Sequence, residues 1–208
     1  MATLKLNDVR TMTESSGTVT MADGVALGTP ASGVLTNMTG AIGSSVTGFT
    51  GVKELDWWRV TSNYTGSPGN EISSNLERVD TGGFTKIGTG MSHSSGIFSF
   101  PSTGIWWISL EHYCYSTGAN RYVPTFLFTT VDNGSAWHQS ATAKCLIADI
   151  GEYGHGSSFT SCSFDVTDTS THKVKFRTDD DSGGVDVVTQ GDTSETYTGF
   201  QFMRIGDT

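Results

Sequence analysis

Three observations predict an all-β fold of the sandwich class. Glycine fills 26 of 208 positions, Ser and Thr are abundant, and charged residues make up only 16%, a balance that suits short strands and many turns. The stretch from Gly96 to Tyr115 carries the strongest strand signal in the chain. Further short alternating runs bounded by turn residues follow it, and no stretch shows helical periodicity. With 36% hydrophobic and 11% aromatic residues, the chain can bury a sizeable core.

In chain order, Met1 to Asp8 alternates Leu4 and Leu6 against Thr3 and Lys5, the pattern of a short strand or an anchoring arm. From Ser15 to Val52 only Asp23 is charged, and single apolar residues such as Val19, Leu27, Leu35 and Phe49 are interleaved with glycines. No short window there is apolar enough to make a core of its own. Flexible Gly/Ser linkers seldom carry so many apolar residues, so residues 1–50 read as an extended arm that attaches and trimerises. A composition break near Val52 and Lys53 opens the second domain, residues 51–208.

Leu55 to Tyr64 is the opening strand of that domain, with Trp57 and Trp58 on opposite faces. A loop from Thr65 to Asn70 and a weak strand from Phe84 to Ile87 follow. Next comes the central stretch. Ile97, Phe98 and Phe100 precede a turn from Pro101 to Gly104, read as a hairpin because Pro fixes φ and Gly accepts the positive φ that closes a turn. The strand after it places Trp106, Ile108, Leu110, His112 and Cys114 on one face, the core face, and Ile105, Trp107, Ser109, Glu111, Tyr113 and Tyr115 on the other.

Arg121 to Val131 alternates and ends at Asp132, Asn133 and Gly134, a β-turn signal. Pro124 inside it removes a ladder donor, which implies an edge strand or a bulge. Ala143 to Ile150 is a further strand, and Ser158 to Val166 sets Phe159 and Asp165 against Cys162, Phe164 and Val166. In Lys173 to Arg177, Val174 and Phe176 point inward and the three basic residues outward. A loop from Thr178 to Gly184 leads to strands at Val185 to Thr189 and Thr196 to Ile205. Eight to ten strands fit a jelly roll.

Gly96, Phe98, Phe100, Pro101, Gly104 and Trp106 form a pattern that resembles the signature of the C1q/TNF-like jelly-roll family, in which it joins two adjacent strands of a trimeric sandwich. Tyr197 to Phe202 resembles that family's last strand, near the threefold axis. Ala26 to Asn37 resembles the linker that precedes trimeric heads in tail-fibre-like proteins of bacteriophages, marine ones among them. These resemblances imply a homotrimer with Trp57, Trp58, Tyr197, Phe200 and Phe202 in its interface. They imply a virion surface protein, a fibre or spike made in the host cytoplasm, whose arm binds other virion proteins and whose head adheres to host surface glycan. A capsid decoration or cement protein is the alternative, and a glycan-degrading enzyme a further one.

Composition narrows the function classes. A formal charge of −9, with 12 basic residues and no Lys/Arg run, argues against nucleic acid. No apolar run approaches the roughly 20 residues that span a bilayer, and the N-terminus lacks a signal peptide's regions, so no membrane insertion is expected. Cys114, Cys145 and Cys162, odd in number and without CxxC spacing, read as reduced buried thiols, not metal ligands.

Asp179, Asp180 and Asp181 offer hard oxygens for Ca²⁺ but lack EF-hand register, so a solvated acidic loop is the plainer reading and no cofactor is expected. His93, His112, His138, His155 and His172 fall in separate elements without zinc spacing. No nucleophile elbow or phosphate loop is present, and no catalytic residue is assigned. Tyr64, Trp137, His138, Tyr153 and His155, at or near turns, are the candidate receptor or glycan contacts.

Overall fold

The computed structural model describes residues 2–6, 9–15, 18–21, 51–66, 70–116, 118, 120–148, 150–179 and 187–208. The chain divides into two units, Met1–Phe49 and Thr50–Thr208. In the first, β1 (Ala2–Leu6), β2 (Val9–Ser15) and β3 (Thr18–Met21) form an antiparallel sheet in that order, where the sequence suggested one strand at most. The alternation of Val9, Thr11 and Thr13 with Arg10, Met12 and Glu14 suits a strand. Residues 22–50 of the arm expected over residues 1–50 lie outside the described residues.

The second unit holds the remaining strands. They are β4 (Leu55–Val60), β5 (Tyr64–Gly66), β6 (Asn70–Glu71), β7 (Leu76–Arg78), β8 (Ser92–Ser94), β9 (Ile97–Ser99) and β10 (Gly104–Ser116). Then follow β11 (Asn120–Thr130), β12 (His138–Ile147), β13 (Gly154–Val166), β14 (Lys173–Thr178), β15 (Val187–Thr189) and β16 (Gly199–Gly206). Eight of these pair in a nest: β4 with β16, β9 with β14, β10 with β13, and β11 with β12, all antiparallel. First with last, second with second-last, and alternate pairs in alternate sheets is the topology of a jelly roll. The seven-stranded sheet contains β13, β10, β16 and β4; the six-stranded sheet contains β12, β11, β14 and β9.

The core lies between the two sheets. Trp106, Ile108, Leu110, His112 and Cys114 are all buried, as the period-two pattern of β10 dictates. Phe98 sits at the centre, its ring 5.0 Å from Phe202, 5.6 Å from Trp58, 5.7 Å from Phe200 and 5.9 Å from Phe176. Val174 and Phe176 enter from β14, and Phe159 on β13 points out, both as the alternation requires.

The expected hairpin at Pro101 is not one. β9 pairs with β8 and β14 in the six-stranded sheet, whereas β10 belongs to the seven-stranded sheet, so the turn carries the chain across the sandwich. Phe100 and Trp106 then face one another from opposite sheets, ring centroids 5.2 Å apart. Gly104, at φ +141, makes the crossing: a Cβ there would collide with the Arg204 guanidinium and lie 2.6 Å from the Gly206 carbonyl.

Other elements shift. The strand expected over Phe84 to Ile87 reduces to one bridge between Leu55 and Ile87, because Phe84 is exposed and packs no core. β12 begins at His138, earlier than expected, where small polar residues mask the strand pattern. β11 is an inner strand, so Pro124 marks the bulge reading: the register shifts between Asn120 and Val123 beside it. Asn133 (φ 56°) and Gly134 (φ 90°) adopt the left-handed conformation that closes the turn to β12.

Candidate functional site

The outward face of the seven-stranded sheet carries an unusual run of rings. Because Trp106 and Ile108 point inward, Trp107, Tyr113 and Tyr115 of β10 must point outward, beside Phe159 and His155 of β13. Trp107 and Phe159 lie 6.4 Å apart. Tyr113 meets His155 and Tyr197, each at 5.7 Å, and Tyr115 meets Tyr153 at 5.3 Å and His155 at 5.6 Å. At the far edge Trp57 packs edge-on against Phe84 at 5.1 Å. Beside it a cavity of about 300 Å³ is lined by Leu55, Trp57, Val79, Phe84, Lys86 and Gln201.

This face is exposed in the isolated chain: Phe159 is 55% accessible, Tyr153 57% and Phe84 51%. Aromatic surface of this kind is costly to leave in water. Glu195 beside Tyr197 raises the pKa of its hydroxyl by hydrogen bonding and by like charge on ionisation, so that ring stays neutral well above physiological pH.

The outward face of the six-stranded sheet differs in kind. There aromatic rings and cations alternate through the register, with Phe126 opposite Arg177 and Phe128 opposite Lys175. The Arg177 guanidinium lies 5.6 Å from the Phe126 ring, Lys175 Nζ 4.4 Å from Trp137, and Lys144 Nζ 4.3 Å from Tyr122. Basic residues that look scattered along the sequence are thus gathered by pairing. Glu71 balances Lys175 and Asp179 balances Arg177.

The residues expected to make contacts separate into three places. Tyr153 and His155 join the aromatic face; Trp137 and His138 lie on the six-stranded side; Tyr64 sits on β5, donating its hydroxyl to the Glu71 carbonyl at 3.1 Å. Of the expected interface set, Trp57 and Tyr197 face outward. Trp58, Phe200 and Phe202 are corrected: they are buried in the chain's own core, packed around Phe98. Phe200 pairs directly with Trp58, so one inward face holds all three. Trp107 and Phe159 were not in that set, although outward aromatics on strongly alternating strands were the available signal.

Asp179 is held by Arg177 at 2.8 Å, while Asp180 and Asp181 lie outside the described residues. Among the described residues no group of three or more His, Cys, Asp or Glu is placed to hold a metal ion.

Inside the sandwich, His112 contacts Thr189 Oγ1 through Nε2 at 2.9 Å, and Nδ1 has no hydrogen-bond partner among the described residues. Complete burial lowers its pKa from 6.5 to about 4. Unfolded, the ring takes its proton near pH 6.5; folded, only near pH 4. Between these the unfolded state binds more protons, so this stability is full above pH 6.5 and lost as pH falls toward 4, by about 3 kcal/mol. Melting curves from pH 7.5 to 4.5 should show the loss, and His112→Gln should flatten the profile. An unchanged slope in the variant would assign acid sensitivity elsewhere.

No protein-family model matches the chain, and no curated protein does. Among solved structures it is similar to murine APRIL crystallised at pH 8.5, with 11% identity and a TM-score of 0.46 over 73% of this chain and 98% of that one. The murine APRIL structure at pH 8.0 gives 10% identity and a TM-score of 0.47 over the same shares. Eiger TNF from S. frugiperda gives 8% identity and a TM-score of 0.47, over 74% of this chain and 93% of that one. The jelly roll itself is defined by the strand pairing above.

Proposed function

We propose that this protein is a non-enzymatic virion surface protein of a bacteriophage, a homotrimeric fibre or spike whose head adheres to host surface glycan. The observation that carries self-association is the aromatic outward face of the seven-stranded sheet. A second copy laid on it would remove Trp107, Phe159 and Tyr153 from water, and burying one aromatic contributes roughly 2 to 3 kcal/mol. The cavity beside Trp57 suits an apolar side chain of the neighbouring copy. With that face covered, the cation and aromatic face of the six-stranded sheet stays outward, where Trp137 and Lys144 offer stacking and charge to a sugar. The virion assignment rests on the linker resemblance at Ala26 to Asn37, and the arm is the part that would hold the head to the particle.

Sedimentation tests the assembly. The protein should run at three times its chain mass at micromolar concentration, and a Trp107→Glu/Phe159→Glu double variant should run at the chain mass with an unchanged β-sheet circular dichroism spectrum. A wild-type monomer, or a double variant that still trimerises, overturns the proposed face. Binding of the trimer to host cells with and without enzymatic removal of their surface glycan tests adhesion separately. Equal binding to both kinds of cell would remove the glycan role.

A further inference from the structure

Cys114 points inward from β10 of the seven-stranded sheet, and Cys145 stands on β12 of the six-stranded sheet. Their Sγ atoms lie 3.8 Å apart. Gly156 is what permits this contact. It is the β13 residue paired with Cys114, and a Cβ added there would lie 2.9 Å from Cys145 Sγ and 3.3 Å from Ile147 Cγ1. With only hydrogen at that position, the Cys145 side chain reaches past β13 to β10. Val123, Ile147 and Val187 enclose the two sulfurs in a small apolar cluster separate from the main core. Cys162 packs against the main core and takes no part.

We propose that Cys114 and Cys145 are an oxidisable thiol pair that closes into a disulfide bridging the two sheets when the protein meets a peroxide. Cys145 is half-buried and is the thiol that peroxide reaches first, while Cys114 is fully buried. The polarity agrees. The hydrogen bond between the two sulfurs lowers the pKa of Cys145, and that same hydrogen bond together with burial raises the pKa of Cys114.

The Cys145 thiolate attacks one peroxide oxygen, the O–O bond breaks, and the departing hydroxide takes up a proton as water. The resulting sulfenic acid is attacked by Cys114 sulfur; the S–S bond forms, the S–O bond breaks, and the Cys114 proton leaves with the hydroxyl as a second water. Two thiols are oxidised and one peroxide is reduced to two waters. On the virion reading proposed above, the chain would fold with free thiols in the host cytoplasm and acquire this cross-sheet staple after release into an oxidising medium.

Intact protein is treated with hydrogen peroxide, unfolded without reductant and alkylated with iodoacetamide, and the modified thiols are counted by mass spectrometry. Untreated protein should show three alkylated cysteines. Treated protein should show only Cys162 alkylated, with a peptide linking Cys114 to Cys145, and dithiothreitol should restore all three. Cys162→Ser should keep the link and Cys145→Ser should abolish it. The linked form should melt about 5 to 10 °C higher. A link through Cys162, a link between two chains, or accumulation of Cys145 sulfinic acid without a link overturns the proposal.

Discussion

Replacing Trp106 by Ala should lower the melting temperature of the head by about 10 °C or more, whereas the same change at Trp107 should be far milder for the fold. The two residues are neighbours in sequence and opposites in environment. Trp106 has no exposed surface, its indole Nε1 donates to the Ser102 carbonyl at 3.2 Å, and its ring packs on Phe100 from the other sheet. Its loss opens a cavity between the sheets that Phe100 and Phe164 cannot fill, at a cost of about 3 to 5 kcal/mol. Trp107 points out beside Phe159, so Trp107→Ala should weaken self-association and leave the chain's own core intact. Melting of the two variants, paired with their sedimentation, separates the effects. Equal thermal losses with intact assemblies would mean that both faces of β10 are buried, and a larger loss for Trp107 would reverse the register.

How much of this was legible in the sequence follows from the range of each signal. The inward face of β10, the inward pair Val174 and Phe176, and the outward Phe159 all follow from period-two alternation, which is local. The turn from Pro101 to Gly104 was equally legible as a turn. Which sheet each flank joins was not, because Phe98 pairs with Val174 and Ile105 with Asp165, partners far along the chain. The same limit explains the interface residues. Phe200 and Phe202 are aromatic and near the end of the chain, but their parity with Gln201 and Met203 decides burial only once β16 is seen between β4 and β10. The ladder of cations over rings depends on the pairing of β11 with β14, so counting Lys and Arg along the chain shows only scatter. The thiol contact requires three strands and a glycine on the middle one.

Asp56 gave no signal of its own, yet its replacement by Ala should rank with Trp106→Ala in cost. It sits on the opening strand with 1% exposure. Oδ1 accepts from Arg78 Nε at 2.8 Å; Oδ2 accepts from Arg78 Nη2 at 3.0 Å, Trp58 Nε1 at 2.9 Å and the Met91 amide at 2.7 Å. One carboxylate thus fastens β4, β7 and the segment entering β8, while Arg78 also caps the Trp58 ring at 4.7 Å and donates to the Met91 carbonyl at 2.7 Å. Removing it strands a guanidinium, an indole N–H and an amide N–H together. Breaking a buried ion pair by deleting one partner costs about 3 to 5 kcal/mol, and the low end is expected because Arg78 is 33% exposed and can turn toward water. Asp56→Asn preserves the shape but turns an NH₂ toward donors, so it should recover less than half of the loss. The decisive comparison is a thermodynamic cycle from denaturant midpoints. Asp56→Ala combined with Arg78→Leu should be less destabilised than the sum of the single variants, since the double variant leaves no charge unpaired. Strict additivity would show that the two residues act independently and that the loss at Asp56 comes from its bonds to Trp58 and Met91 alone.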